Sequence, residues 1–150
     1  MRQARFAGVF YEKAESLLIR QIEDCFLHER GPGALPSNKI KSSLKAVIVP
    51  HASYLYSGPC AAWGYKAIAE SEMPDLFILI GPSHHYNESG FSMETYETPL
   101  GLVRVKQDFA RKLAEKGNLK QNENLHDGEH CLEIQIPFLQ YIYRKNPEKI

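Results

Sequence analysis

Leu44-Lys45-Ala46-Val47-Ile48-Val49-Pro50-His51 and Leu76-Phe77-Ile78-Leu79-Ile80-Gly81-Pro82-Ser83-His84-His85 are the two stretches on which the fold reading turns. Each is a run of apolar and β-branched residues that stops at a proline and is followed by histidine. Near-continuous apolar runs of this length suit parallel strands covered on both faces. Between them, Ser57-Gly58-Pro59-Cys60-Ala61-Ala62 opens a helix. Ser57 or Gly58 can cap it, and Pro59 fits a first turn because its missing N–H costs nothing there. A strand, helix, strand unit predicts an α/β protein: a parallel or mixed sheet flanked by helices. Open sheets of this kind gather ligands at the carboxyl edge, where His51 and His84 would emerge side by side.

The flanking elements follow from periodicity and punctuation. Ala14, Leu17, Leu18, Ile22, Cys25 and Phe26 recur at helical spacing, so residues 13–29 read as an amphipathic helix that ends at Gly31-Pro32-Gly33. Residues 31–43 read as a polar loop. Residues 91–93 and 102–105 read as short strands around the turn Thr98-Pro99-Leu100-Gly101. Residues 108–116 read as a short helix ending at Gly117, and residues 121–127 as loop. Residues 129–144 keep helical spacing, with Pro137 as a kink or interruption. Asn146-Pro147-Glu148-Lys149-Ile150 reads as a helix exit leading toward something further.

Composition narrows the function classes. The chain has 150 residues, 43% hydrophobic and 24% charged, which is one-domain length and ordinary globular composition. Lys plus Arg and Asp plus Glu number 18 each, so there is no electrostatic footprint for nucleic acid. The small cluster Lys39, Lys41 and Lys45 reads as solvated surface. The longest apolar run has five residues, 76–80, too short to span a bilayer, and the first residues lead into no signal-peptide core. These features point to a cytoplasmic protein with no membrane partner. Cys25, Cys60 and Cys131 lack Cys-x-x-Cys spacing and read as reduced thiols.

The chemistry starts from His51 and His84. Neutral imidazole is a ligand for iron, copper or zinc, and adjacent strands stand about 4.8 Å apart, so one ion can bridge the pair. His85 competes with His84, but neighbours in an extended segment point to opposite sides. On a helix starting near Asp127, Glu129, His130 and Glu133 would meet at spacings of three and four, and Glu133 would orient His130 as a catalytic base. Helix-capping carboxylates beside a surface histidine explain the same spacing equally well. His126 and His130 are four apart, but Asp127-Gly128 argues that His126 precedes the helix. Ser83 lacks the second glycine of a nucleophile elbow, so a serine hydrolase is a weak option. Cys60 reads as a small buried residue, and Tyr54, Tyr56 and Tyr65 as core or pocket lining.

Pro50-His51-Ala52-Ser53-Tyr54 with Tyr56-Ser57-Gly58-Pro59, then Gly81-Pro82-Ser83-His84-His85, Thr98-Pro99-Leu100-Gly101 and Glu129-His130-Cys131-Leu132-Glu133 resemble the Memo family. Ala7-Gly8-Val9-Phe10-Tyr11 is similar to its N-terminal motif. The resemblance implies a fold similar to class III extradiol dioxygenases, with residues 1–150 as the N-terminal part of one domain. It also implies a non-haem metal pocket for iron or copper, with zinc possible, in which His51 and His84 match the ligand histidines. His130, Glu129 and Glu133 match a pocket-supporting motif. Ser53, Cys131 and Glu12 depart from the usual glycine, serine and proline. The family is about twice this long, and its third ligand falls outside this chain.

Two functions compete. The first is metal-dependent redox or dioxygenase-related chemistry in the full-length form, with this chain alone catalytically incomplete because two histidines hold an ion weakly. The second is a non-catalytic module that binds a peptide or small molecule in the same pocket, as the phosphorylated receptor segments associated with animal members imply. An uncovered sheet edge also predicts self-association.

Overall fold

The computed structural model describes residues 1–37, 40 and 43–145, and its element order is set by four helices and one hairpin. Lys39, Lys41 and the exit at residues 146–150 lie outside the described residues. Helix α1 spans Glu15–Leu27 and buries Leu18, Ile22, Cys25 and Phe26, the stripe that the periodicity marked. Helix α2 spans Tyr54–Ala69, starting before Ser57, so Pro59 lies inside it. The reason for the early start is local: the N–H groups of Tyr56 and Ser57 both bond to the Ser53 carbonyl at 3.0 Å, which closes a turn ahead of the proline.

Strands β1, Tyr96–Thr98, and β2, Gly101–Val103, form an antiparallel hairpin with Thr98 opposite Gly101. Gly101 has φ +114, a conformation that costs glycine little, and Thr98 Oγ1 donates to its carbonyl at 3.1 Å. Helix α3, Gln107–Gly117, ends on Asn118 in the left-handed region. A 3-10 turn covers Glu123–His126, inside the segment read as loop. Helix α4 spans only Ile136–Ile142, preceded by a 3-10 turn at Glu133–Gln135. Pro137 therefore sits in the first turn of α4 instead of kinking a long helix.

The core forms where α1, α2 and α4 meet. Phe138 is the hub: Tyr65 stacks on it at 4.5 Å and 5°, Tyr54 tilts against it at 4.8 Å, and Phe26 meets it edge-on at 5.9 Å. Both tyrosine hydroxyls are satisfied, Tyr54 by the Ile134 carbonyl at 2.6 Å and Tyr65 by Gln135 Oε1 at 2.5 Å. These bonds fasten the 3-10 turn before α4 onto α2.

The expected parallel sheet is absent among the described residues. Residues 44–50 and 76–82 run without a ladder to each other or to any described segment, and the only sheet among the described residues is the hairpin. The physical reason is one-sided cover. Leu44, Val49 and Phe77 pack against the helical core, whereas Ile48 and Ile80 are 101% and 90% exposed, so no second layer or neighbouring strand completes the runs. Cys60 is exposed, and Tyr56 is as well, which corrects the buried reading for both. No helix among the described residues is long and apolar enough to cross a membrane.

Close approach explains why α2 carries glycines that lower its intrinsic helicity. A Cβ on Gly64 would stand 2.5 Å from Val49 Cγ1, and one on Gly58 would collide with Cys25 Sγ of α1. Gly58→Ala is therefore expected to destabilise the fold: overpacking of about 1–3 kcal/mol outweighs the gain in helix propensity of about 1 kcal/mol. Urea unfolding checks this, and adding Cys25→Ala should restore much of the loss; an unaltered midpoint in the single variant would contradict the packing.

Candidate metal centre

Two chain segments deliver His51 and His84 to one place despite the missing ladder. Gln135 Nε2 donates to the Pro50 carbonyl at 3.2 Å while its Oε1 receives the Tyr65 hydroxyl, so the residue before His51 is tied to the core. On the other side, a Cβ on Gly81 would stand 2.5 Å from Cys131 Sγ, and that thiol donates to the Pro82 carbonyl at 3.1 Å. Glycine at position 81 thus lets the turn before His84 lie directly on Cys131. The His51 and His84 ring centroids are 5.2 Å apart.

His130 completes the group, as the sequence did not foresee. It stacks on His84 at 4.8 Å and lies 5.9 Å from His51, and one nitrogen from each of the three imidazoles falls within 4.8 Å of the others. The chain therefore holds a third candidate donor of its own, where the resemblance placed the third ligand outside it. A tetrahedral ion with bonds of about 2.0–2.1 Å needs donors about 3.4 Å apart, a contraction within reach of small side-chain rotations. Three neutral imidazoles suit iron, copper or zinc. His85 points elsewhere, its Nε2 facing the Gly128 carbonyl at 3.2 Å.

The carboxylate that serves these histidines is Glu129, not Glu133. Glu129 Oε2 accepts the His84 backbone N–H at 2.8 Å, and Oε1 accepts those of His130 and Cys131 at 2.8 and 3.0 Å. Both oxygens lie 3.0 Å from His84 Nδ1. Burial pushes the Glu129 pKa up, but the His84 and Cys131 donors outweigh it and hold the carboxyl at about 2, below its ordinary 4.5. Burial, reinforced by His84, His51 and His85, lowers the His130 pKa against the pull of Glu129, which favours the neutral imidazole. Burial and Glu129 push the Cys131 thiol up to about 12, so it stays protonated.

Glu133 does not orient His130. No common helix carries the two: residues 131–132 form a turn, and helical structure begins only at Glu133. Fully buried, Glu133 Oε1 accepts the Phe6 N–H and the Tyr11 hydroxyl, each at 2.9 Å, and its Oε2 lies 3.8 Å from Arg2 Nε. It anchors the N-terminal segment, whose Phe6 and Phe10 rings lie 5.6 and 4.5 Å from His130 and wall that side of the site. Arg2 joins both carboxylate residues, since its Nη2 donates to the Glu129 carbonyl at 2.5 Å. Gln135 and Arg2 carried no signal in the sequence, because their roles depend on contacts more than 80 residues away.

Comparison with known proteins gives a consistent pattern. Residues 2–150 match the family model described as Memo-like protein. A MEMO1 family protein of Methanothermobacter thermautotrophicus is 40% identical over 145 residues, covering 94% of this chain and 52% of that protein. One from Methanopyrus kandleri is 42% identical over 147 residues, 95% of this chain and 52% of its own length. One from Thermotoga neapolitana is 39% identical over 150 residues, with 95% and 54% covered. The chain spans about half the length of the curated relatives it matches.

The depressed Glu129 pKa has a stability consequence with a definite sign. A carboxyl whose folded pKa lies below its unfolded value stabilises above the unfolded value and loses that contribution as pH falls toward the folded one. Between pH 4.5 and 2 the chain should lose on the order of 2–3 kcal/mol that a Glu129→Gln variant does not lose over the same range. Urea midpoints measured at both ends of that window test this, and parallel pH profiles for the two proteins would contradict it.

Proposed function

The chain belongs to the Memo family, and from that premise we propose that His51, His84 and His130 bind one transition-metal ion, which the whole protein uses for redox or dioxygenase-related chemistry. The observation that carries this reading is the convergence of three imidazole donors within 4.8 Å. The Gly128 carbonyl engages His85, whereas the rings of His51, His84 and His130 lie against one another. A bound iron or copper ion would supply electron transfer and Lewis-acid polarisation of an oxygen ligand.

The chain's own residues give that chemistry its surroundings. His51 and His84 are the two ligands read from the strand-end motifs, and His130 is the third. Phe6 and Phe10 exclude water from one flank of His130, while the His84 side chain remains 37% exposed and leaves the other flank open to an incoming molecule. Glu133 supports the wall without touching the reacting groups. The Cys131 thiol donates to the Pro82 carbonyl and lies outside the group of three converging donors.

Metal analysis after anaerobic loading with iron(II), and separately with copper(II) and zinc(II), should give one ion per chain. His51→Ala and His84→Ala should each weaken binding by at least tenfold, and His130→Ala by a smaller factor. Binding should also fall as pH drops below about 6, because imidazole must be neutral to ligate. Unchanged stoichiometry in the His51→Ala, His84→Ala double variant would overturn the assignment.

A further inference from the structure

Resting on the metal-site reading above, we infer that Glu129 is a positioning residue that sets the His84 tautomer, placing the ring proton on Nδ1 so that Nε2 is the metal-binding nitrogen. The geometry forces this division of the ring. Both Glu129 oxygens lie 3.0 Å from His84 Nδ1, and a carboxylate can only accept, so Nδ1 must donate. Its lone pair is then left on Nε2, on the side away from Glu129. His130 Nδ1 stands 3.4 Å from Oε1 of the same carboxylate.

The same carboxylate also fixes the backbone beneath both rings. It binds the His84 N–H with one oxygen and the His130 and Cys131 N–H groups with the other, across 45 residues of chain. Four donors on one buried carboxylate leave no lone pair for a metal, so Glu129 works through the histidines and is not a ligand. Outer carboxylates of this type raise ligand basicity and fix ring orientation, and their loss typically costs 10–100-fold in metal affinity.

Replacement by glutamine makes the inference sharp because only one of its two termini can accept. The Oε1 position faces two backbone donors, so the amide oxygen belongs there, still 3.0 Å from His84 Nδ1, while the amide NH2 falls at the Oε2 position, against the same Nδ1 and the His84 backbone N–H. A donor in that place opposes the proton on Nδ1, so part of the ring population shifts its proton to Nε2, where it blocks the metal-binding lone pair.

Imidazole nitrogen NMR on the metal-free protein, followed by zinc(II) titration, tests it. Wild-type His84 should carry its proton on Nδ1. Glu129→Gln should raise the fraction protonated on Nε2 and weaken zinc binding 10–100-fold. Glu133→Gln serves as the control: it removes an equally buried carboxylate that does not touch His84, so it should lower stability and leave the His84 tautomer unchanged. A wild-type ring protonated on Nε2 would overturn the inference even if Glu129→Gln fails to fold. So would a wild-type protein that binds zinc and a folded Glu129→Gln variant that matches it in tautomer and affinity. A wild-type protein with the Nδ1 tautomer that binds no metal would overturn the metal reading while supporting the role of Glu129 in setting the ring.

Discussion

One buried carboxylate holds the site together. Glu129 collects the N–H groups of His84, His130 and Cys131 and the His84 ring on two oxygens, and Arg2 binds its carbonyl. A carboxylate only 4% exposed is costly unless its lone pairs are filled, and here they are. Filling them pins two segments that are 45 residues apart to a single point. The ring stacking of His84 on His130 follows from that anchoring.

The helical core supplies the frame for this carboxylate. Phe138 packs between Tyr54, Tyr65 and Phe26, and the tyrosine hydroxyls seize the 3-10 turn at Glu133–Gln135. Gln135 then reaches back to the Pro50 carbonyl, which sets His51, and Glu133 draws in the N-terminal segment whose phenylalanines flank His130. Two residues of one short turn, Glu133 and Gln135, thus serve opposite ends of the site. Hydrophobic packing fixes the turn, and the polar groups on it convert that fixed position into the arrangement of donors.

Local periodicity made α1 and α3 legible to within two residues, since each has a single apolar stripe and clear punctuation. The meeting of His51 and His84 was legible too, although its stated cause, a shared sheet edge, is not present. Apolar runs report that a segment wants cover; they do not report whether a hydrogen-bonding neighbour is available, and residues 44–50 and 76–82 have none among the described residues. The pairing of Glu133 with His130 failed because it assumed a continuous helix, whereas helical structure starts at Glu133 itself, its carboxylate bonds Phe6 and Tyr11, and Glu129 is the carboxylate within reach. His130 as a third donor could not be read from spacing, because 45 residues of intervening chain separate it from His84.

X-ray absorption at the edge of the loaded metal reads most directly whether three histidines converge on one ion. A first shell of nitrogen or oxygen at about 2.0–2.1 Å, with outer-shell scattering that requires about three imidazole rings, is the expected result. A sulfur shell at about 2.3 Å, or a spectrum fitted by a single imidazole, would contradict it.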